Sequence, residues 1–324
     1  MTGAFDKNHL PPRPRLVFMG TPGFAVPTLR ALIDHGHEVV SVVTQPDRPK
    51  GRGKKLAASP VKVLARENGI EVLQPEKASE AVFCELINSR EPDLIVVVAF
   101  GQILKKRLLD IPKWGVINVH ASLLPKLRGA APIQRAILNN ETETGLTIMR
   151  MDEGLDTGPI LFQEAVPILE NETAGHLHDR LAEKSGDLMV RSLEHMAQNP
   201  IAEKPQDDAR ATYAPKVEKS LSLIDWNQTA ARISALIRAL DPKPGAYTMV
   251  EGHEIKLFSS RVFNEALLAG VPGRVSGQTK GELVIETGAG KVGIREIQYP
   301  GKKRLPVDDF LRGYPLPEGT RLGK

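Results

Sequence analysis

The chain has a single cysteine, Cys84, in 324 residues. That excludes an internal disulfide and any cysteine-based metal cluster. Cys84 falls in a helix-like stretch and reads as a small core residue. No apolar run approaches the ~20 residues that a membrane helix needs. Residues 1–14 hold no apolar signal core; they are polar, carry Pro11, Pro12 and Pro14, and read as a flexible tail. These absences set the expectation of a cytoplasmic protein that makes no use of a membrane.

Several familiar fingerprints are also missing. Gly20-Thr-Pro-Gly23 sits where a dinucleotide-binding turn would sit, but it is not G-x-G-x-x-G, and Pro22 interrupts it. No acidic residue follows a second strand in the expected way, so hydride transfer is disfavoured. Gly51-Arg-Gly-Lys-Lys55 lacks the preceding strand and the Lys-Ser/Thr pair of a phosphate-binding loop. Asp156-Thr157-Gly158 has no second Asp-Thr/Ser-Gly with which to share a proton, and the protease chemistry needs two such carboxylates. His176 and His178 stand two apart on a helix and point in different directions, so no metal is expected there.

What is present is ordinary globular composition, 41% apolar and 25% charged, in a chain long enough for two domains. The charge is uneven. Residues 210–324 hold 18 Lys+Arg against 12 Asp+Glu, a balance of +6, and residues 1–209 have a balance of −2. The basic C-terminal third points modestly to a polyanionic partner; a solvated surface is the alternative.

Residues 15–20 read as a short apolar strand ending at Gly20. A helix over 21–36 with the stripe Phe24, Val26, Leu29, Leu32 and Ile33 follows, then a valine-rich strand over 38–45. Strand, helix, strand implies parallel strands with a crossover. A helix opened by Ser59 and Pro60 leads to a strand over 70–74; a helix over 79–90 leads to the continuous apolar strand 93–100. The fold expected is an α/β one, an open, doubly wound, mostly parallel sheet with its site outside the carboxyl ends of the strands. Gly20, Phe100-Gly101 and Ser122 to Pro125 all lie at such ends. Residues 199–219 are polar and proline-bearing, a connection between domains. Beyond them, one amphipathic helix from Thr229 precedes short strands between glycine turns, the spacing of a small β-barrel. The divisions expected are a tail over 1–14, a first domain over 15–200, a linker over 201–219 and a second domain over 220–324.

The informative stretch is Gly-Val-Ile-Asn-Val-His-Ala-Ser-Leu-Leu-Pro-Lys-Leu-Arg-Gly, residues 115–129. Period 2 puts Asn118 and His120 on one face of a strand, where a buried strand usually carries Val or Ile. An amide beside an imidazole suits a site that donates hydrogen bonds; a satisfied core histidine beside a turn asparagine is the alternative. Lys126 and Arg128 bring positive charge near them. Asp156 is either the acid partner of His120 or a turn carboxylate bonded to its own backbone. Residues 45–55 form a proline- and glycine-rich loop with Arg48, Lys50, Arg52, Lys54 and Lys55, either solvated or poised to clamp phosphates.

Taken together, these motifs resemble the folate-dependent formyltransferases. The residues that carry the resemblance are Asn118-x-His120, Ser122-Leu-Leu-Pro125, Arg128-Gly-Ala-Ala-Pro-Ile-Gln134 and Met151-Asp-x-Gly-Leu-Asp156-Thr-Gly158. Gly20-Thr-Pro, the basic loop and Ile224-Asp-Trp226 narrow it to the branch that acts on methionyl-tRNA. The resemblance implies a Rossmann-like catalytic domain and a C-terminal barrel resembling an OB-fold that binds tRNA. It implies formyl transfer from 10-formyltetrahydrofolate to the methionine α-amino group of initiator methionyl-tRNA, by a monomer without a metal. Asn118 and His120 would stabilise the tetrahedral oxyanion, and Asp156 would orient His120 and assist proton transfer. Ser122, Leu123, Leu124 and Pro125 match the folate-binding stretch, with Phe100 and Gly101 at the neighbouring strand end; Phe100, Ile103, Leu104, Leu123 and Leu124 are either walls of the pterin pocket or core. Arg52, with Lys54 and Lys55, matches the contact to the tRNA acceptor end. The rivals are another amine acceptor such as a sugar nucleotide or glycinamide ribotide, hydrolysis by water, and a non-catalytic RNA-binding protein on the same fold.

Overall fold

The computed structural model describes residues 9–50, 55–263, 270–279 and 281–323. The chain divides into two compact units: residues 1–129, 145–166 and 178–213 in the first, and 130–144, 167–177 and 214–324 in the second.

In the first unit the strands are β1 (Arg15–Gly20), β2 (Glu38–Val43), β3 (Arg48–Lys50), β4 (Lys55–Ala57), β5 (Val72–Leu73), β6 (Leu94–Val98), β7 (Val116–His120), β8 (Glu143–Arg150) and β9 (Ile160–Pro167). Among the described residues, seven of them form one sheet in the order β5-β2-β1-β6-β7-β8-β9. Pairing is parallel from β5 to β7, and β8 runs antiparallel to β7. The mostly parallel sheet expected from the sequence is therefore present. Every residue of β6 is buried, as a strand covered on both faces requires. Alternation sends Val17, Met19, Ile95, Val97 and Val116 to one face, against Phe83, Cys84 and Ile87 of α3 (Ala81–Asn88) and Leu108 and Leu109 of α4 (Lys106–Leu109). Helices α1 (Val26–Asp34) and α6 (Ala174–Gln198) meet where Gly186 leaves no room for a side chain: a Cβ there would lie 2.9 Å from Pro27 O. Helix α2 (Pro60–Glu67) starts as its sequence dictates, with Ser59 Oγ accepting from Lys62 N–H and Pro60 in the first turn.

The strand order reverses between β1 and β6, the place where an open α/β sheet forms its crevice. The strand ends there are tied together by side chains. Thr21 Oγ1 donates to Phe100 O at 3.1 Å, Gln45 N–H donates to Thr21 Oγ1 at 3.2 Å, and Gln45 Nε2 donates to Phe100 O at 3.3 Å.

Three segments differ from the plain sequence reading. In the expected tail, residues 9–14 are docked: Leu10 is buried, and its N–H donates to Met196 O of α6 at 2.8 Å. One apolar side chain among prolines is enough to seat that stretch. The basic loop is a hairpin at its base, β3 pairing antiparallel with β4, while Arg52 and Lys54 lie outside the described residues. The polar connection is strapped to the first unit rather than free. Lys204 and Ile160 exchange both backbone hydrogen bonds, and Arg128 N–H donates to Thr212 O at 2.9 Å.

The second unit contains α5 (Pro132–Leu138), α7 (Ala230–Ala239), strands β10 (Ala246–Val250), β11 (His253–Val262), β12 (Val275–Thr279), β13 (Glu282–Glu286), β14 (Lys291–Gln298) and β15 (Arg304–Pro306), and α8 (Val307–Gly313). The strands pair antiparallel in the order β10-β11-β14-β13-β12, with β15 on β14. Among the described residues β10 and β12 stand at the two ends of this ladder, so the expected barrel is an antiparallel sheet in its hydrogen bonding. Ile233 and Ile237 of α7 and Val307 and Phe310 of α8 close its core, with Trp226 inside and its indole N–H donating to Thr248 Oγ1 at 2.9 Å.

Two glutamates are buried in this sheet and each faces two cations. Glu282 accepts from Arg261 and Arg295, and Glu286 pairs with Arg274 and Lys291. Burial alone would push Glu282 up, but hydrogen bonds from the two arginines outweigh it and hold the carboxyl below its ordinary 4.5. The Arg274 hydrogen bond does the same for Glu286. A carboxylate lowered by folding adds stability above its unfolded pKa and loses it as pH falls through the folded value. Urea unfolding followed at Trp226, in a Trp114→Phe background, is therefore expected to show a midpoint that is flat from about pH 7 to about pH 5.5 and falls below about pH 4.5. Glu286→Gln is expected to lower the midpoint at neutral pH and to flatten the acid fall.

Candidate active site

Strand β7 carries the expected pair. Val116, Asn118 and His120 alternate onto one face, between β6 and β8. His120 is buried, so its ring needs partners. One is the Leu127 carbonyl, 2.9 Å from Nε2. A carbonyl only accepts, so Nε2 carries a proton and the ring's orientation is fixed. The other ring nitrogen, Nδ1, faces Asp156 Oδ2 at 3.6 Å, an ion-pair distance longer than a hydrogen bond. Asn118 is half-buried, and its side-chain amide has no hydrogen-bond partner among the described residues.

The chain after β7 folds back to make this possible. Thr147 Oγ1 on β8 donates to Ser122 O at 2.6 Å and accepts from Leu124 N–H at 3.1 Å. Gln163 Nε2 on β9 bridges Leu124 O and Thr147 Oγ1. Ser122 is buried with its hydroxyl donating to Lys126 O at 2.6 Å. Leu124 packs with Met149 and Ile160. Of the four expected folate contacts here, Leu123 and Pro125 keep accessible side chains, and Ser122 and Leu124 support them from behind.

Asp156 stands in the left-handed region, at φ +55°, on the loop that joins β8 to β9. The loop is tight. A Cβ on Gly158 would collide with Arg150 O, and a Cβ on Gly154 would collide with Thr157 Oγ1. Asp152 Oδ1 accepts from Gly154 N–H and Thr157 Oγ1. Asp156 Oδ2 accepts from Gly129 N–H at 2.8 Å, which pins the carboxylate beside the chain end that also supplies Leu127 O.

The apolar residues near the site are open to two readings, pocket wall or core. Phe100 and Leu104 are buried in the core beside α3, because an apolar side chain at a strand end packs inward when a helix covers it. Ile103 is exposed, as is Gly101. Arg128 turns away from the Asn118 face: it is 2% exposed and binds Gln206 and Asp208. Lys55 lies in β4. A groove of about 860 Å³ opens at the amino end of β7, and none of Asn118, His120 and Asp156 lines it. Its lining includes Leu109, Trp114, Val116, Arg150, Met151 and Gly154. Trp114 is buried, and its indole N–H has no partner among the described residues. Trp114 and Arg150 carry no pattern in the sequence that marks them.

An amide donor, an imidazole and a carboxylate converging on one strand face, at the crevice of a parallel sheet, can stabilise an oxyanion and move a proton. This is the constellation of acyl transfer to a nitrogen. Residues 14–193 match the family "Formyl transferase" and residues 216–315 match "Formyl transferase, C-terminal domain". The chain belongs to the formyl transferase family, within its methionyl-tRNA formyltransferase branch. It is 51% identical over 308 residues to a methionyl-tRNA formyltransferase of Pelobacter propionicus, covering 95% of this chain and 96% of that one. It is 48% identical over 310 residues to that of Geobacter sulfurreducens, covering 96% and 97%. Among solved structures, its fold is similar to HypX from Aquifex aeolicus in complex with tetrahydrofolic acid (TM-score 0.65, 21% identity, 94% of this chain and 48% of that one). It is also similar to an N-formyltransferase from Helicobacter canadensis (TM-score 0.65, 22% identity, 88% and 99%).

Thr147 tests how the segment after β7 is held. Thr147→Val keeps the shape and removes the hydroxyl, leaving Ser122 O and Leu124 N–H without their partner. A loss of about 1–3 kcal/mol in urea unfolding is expected. A loss under about 0.5 kcal/mol, the scatter of ordinary surface substitutions, would mean that the strands alone hold the segment.

Proposed function

We propose that this chain transfers the formyl group of 10-formyltetrahydrofolate to the α-amino group of methionine on initiator methionyl-tRNA. The observation that carries the mechanism is the fixed His120 ring, with Nε2–H on Leu127 O and Nδ1 turned to Asp156, on the strand face shared with Asn118.

The folate is proposed to lie at the carboxyl ends of β6 and β7, where Asn118 and His120 stand. Leu123, Pro125 and Gly101 offer it accessible surface, and Ser122, Leu124 and Phe100 are buried.

The neutral amine attacks the formyl carbon, and negative charge grows on the formyl oxygen. The Asn118 amide donates to that oxygen, and the imidazolium form of His120, with a proton on Nδ1 as well as on Nε2, donates beside it. Asp156 Oδ2 holds its place through Gly129 N–H, and Oδ1 receives the amine proton through water. The tetrahedral oxyanion then collapses: the C=O bond re-forms, the bond from the formyl carbon to folate N10 breaks, and the proton taken from the amine passes to N10. No step calls on a metal.

The basic loop with Arg52, Lys54 and Lys55 is proposed to take the acceptor end of the tRNA, and the basic residues of 220–324 to take phosphates further along. In this reading residues 15–200 are the catalytic domain, 201–219 the connection and 220–324 the tRNA-binding domain of a cytoplasmic monomer, where charged tRNA is found.

The test is formyl transfer to charged initiator methionyl-tRNA, beside elongator methionyl-tRNA and a control without tRNA. Transfer to the initiator alone is expected, lowered ~10²–10³-fold in Asn118→Ala, the usual cost of one oxyanion donor, and abolished in His120→Ala. The apparent tRNA affinity is expected to fall steeply as salt rises. Folate turnover that ignores tRNA would move the reading to hydrolysis or to another amine.

A further inference from the structure

Gln206 lies in the polar stretch that connects the two units in sequence, far from any motif. Every hydrogen-bonding position of its side chain is used. Nε2 donates to Asp156 O at 2.8 Å and to Gly158 O at 2.7 Å. Oε1 accepts from Arg128 Nε at 3.1 Å and from Arg128 Nη2 at 2.9 Å. An amide has two donors and two acceptor sites, so this one is saturated. Its partners are not scattered. The two carbonyls bracket Thr157 and end the strained loop on which Asp156 stands at φ +55°. Arg128 follows Leu127, whose carbonyl holds His120, and precedes Gly129, whose N–H holds the Asp156 carboxylate. Gln206 therefore joins the backbone on both sides of the His120–Asp156 pair. Arg128, 2% exposed, is completed by Asp208 from the same strap at 2.8 Å.

We propose that Gln206 is a positioning residue for the formyl-transfer reaction: it holds the Asp156 loop and the Leu127–Gly129 backbone in register, and so sets the distance between Asp156 and His120. The proposal rests on the function proposed above. A carboxylate standing 3.6 Å from the imidazole has little slack. Side-chain misplacement of about 1 Å can cost ~10²-fold in rate. All four hydrogen bonds of Gln206 go to protein atoms, so the proposal assigns it no part in binding substrate.

The test uses the full chain with two variants. Gln206→Glu keeps the size but turns acceptor oxygens toward two carbonyls; Gln206→Met keeps the size and removes all four bonds. Steady-state formyl transfer is measured from pH 5.5 to pH 9, with thermal melting as the check on folding. The expected result is a kcat ~10–100-fold lower in both variants, KM for folate and for tRNA within about twofold of the parent, and a displaced kcat–pH profile, because the Asp156–His120 distance has changed. In an Asp156→Asn background the Gln206 variants are expected to cost little more, since groups that act as a unit are not additive. Equal kcat in a folded variant, an unmoved pH profile, or losses that multiply with Asp156→Asn would each overturn the proposal. If Gln206→Glu fails to fold, Gln206→Met decides by the same readings; if both fail to fold, Gln206 is a folding residue and the proposal is overturned. A parent chain that does not formylate methionyl-tRNA would overturn the function itself, a result separable from any of these.

Discussion

A polar ring buried in a parallel sheet has to be given hydrogen-bond partners, and this constraint organises the first unit. His120 occupies a position that a strand covered on both faces would otherwise fill with a branched apolar residue. Leaving its ring nitrogens without partners would cost a few kcal/mol. The chain after β7 meets one of them by turning back at Ser122 to Pro125 until the Leu127 carbonyl reaches Nε2. The turn is itself polar inside, and Thr147 and Gln163 satisfy it from β8 and β9. One buried imidazole thus recruits a loop, and the loop recruits two neighbouring strands.

The same logic explains why the second partner arrives on a strained loop. Asp156 has to come within reach of Nδ1 from the turn between β8 and β9, and the short path forces a left-handed residue between two glycines that admit no Cβ. A left-handed aspartate is tolerated at modest cost, of order 1–2 kcal/mol, when its surroundings hold it there. Gly129 N–H takes the carboxylate and Gln206 takes the carbonyl. The strain is local and the restraint comes from residues distant in sequence.

What the sequence made legible follows from which signals are periodic. The parallel strands announce themselves through apolar runs and crossovers, and β7 through the break in its own pattern at Asn118 and His120. The Asp-Glu-Gly-Leu-Asp-Thr-Gly turn is marked by residues that only tight turns need. Thr147, Gln163 and Gln206 are different: each is one polar residue whose partners lie far along the chain, and no local pattern points to a long-range hydrogen bond. Phe100 and Leu104 stayed open between two readings for another reason. A pocket wall and a core position draw on the same residue types, and only the covering helix decides between them. The docking of Leu10 and of the strap around Lys204 was hidden likewise, since proline and polar residues mark irregular backbone without saying whether it is free.

The charge of the C-terminal third can now be weighed by where it sits. Glu282 consumes part of the charge of Arg261 and Arg295, and Glu286 that of Arg274 and Lys291. Each cluster therefore presents two cations over one buried anion, with a surplus of one. The carboxylates fix arginine side chains that would otherwise be mobile, so less conformational entropy is lost when a phosphate arrives. The buried anion also weakens the field that a phosphate meets. Preorganisation and partial neutralisation oppose each other: the first favours a defined geometry of contact, the second lowers the number of counterions released. In the tRNA-binding reading proposed above, a face built this way reads the spacing of phosphates more than it gathers their charge, which is the property needed where one tRNA has to be told from others of equal charge.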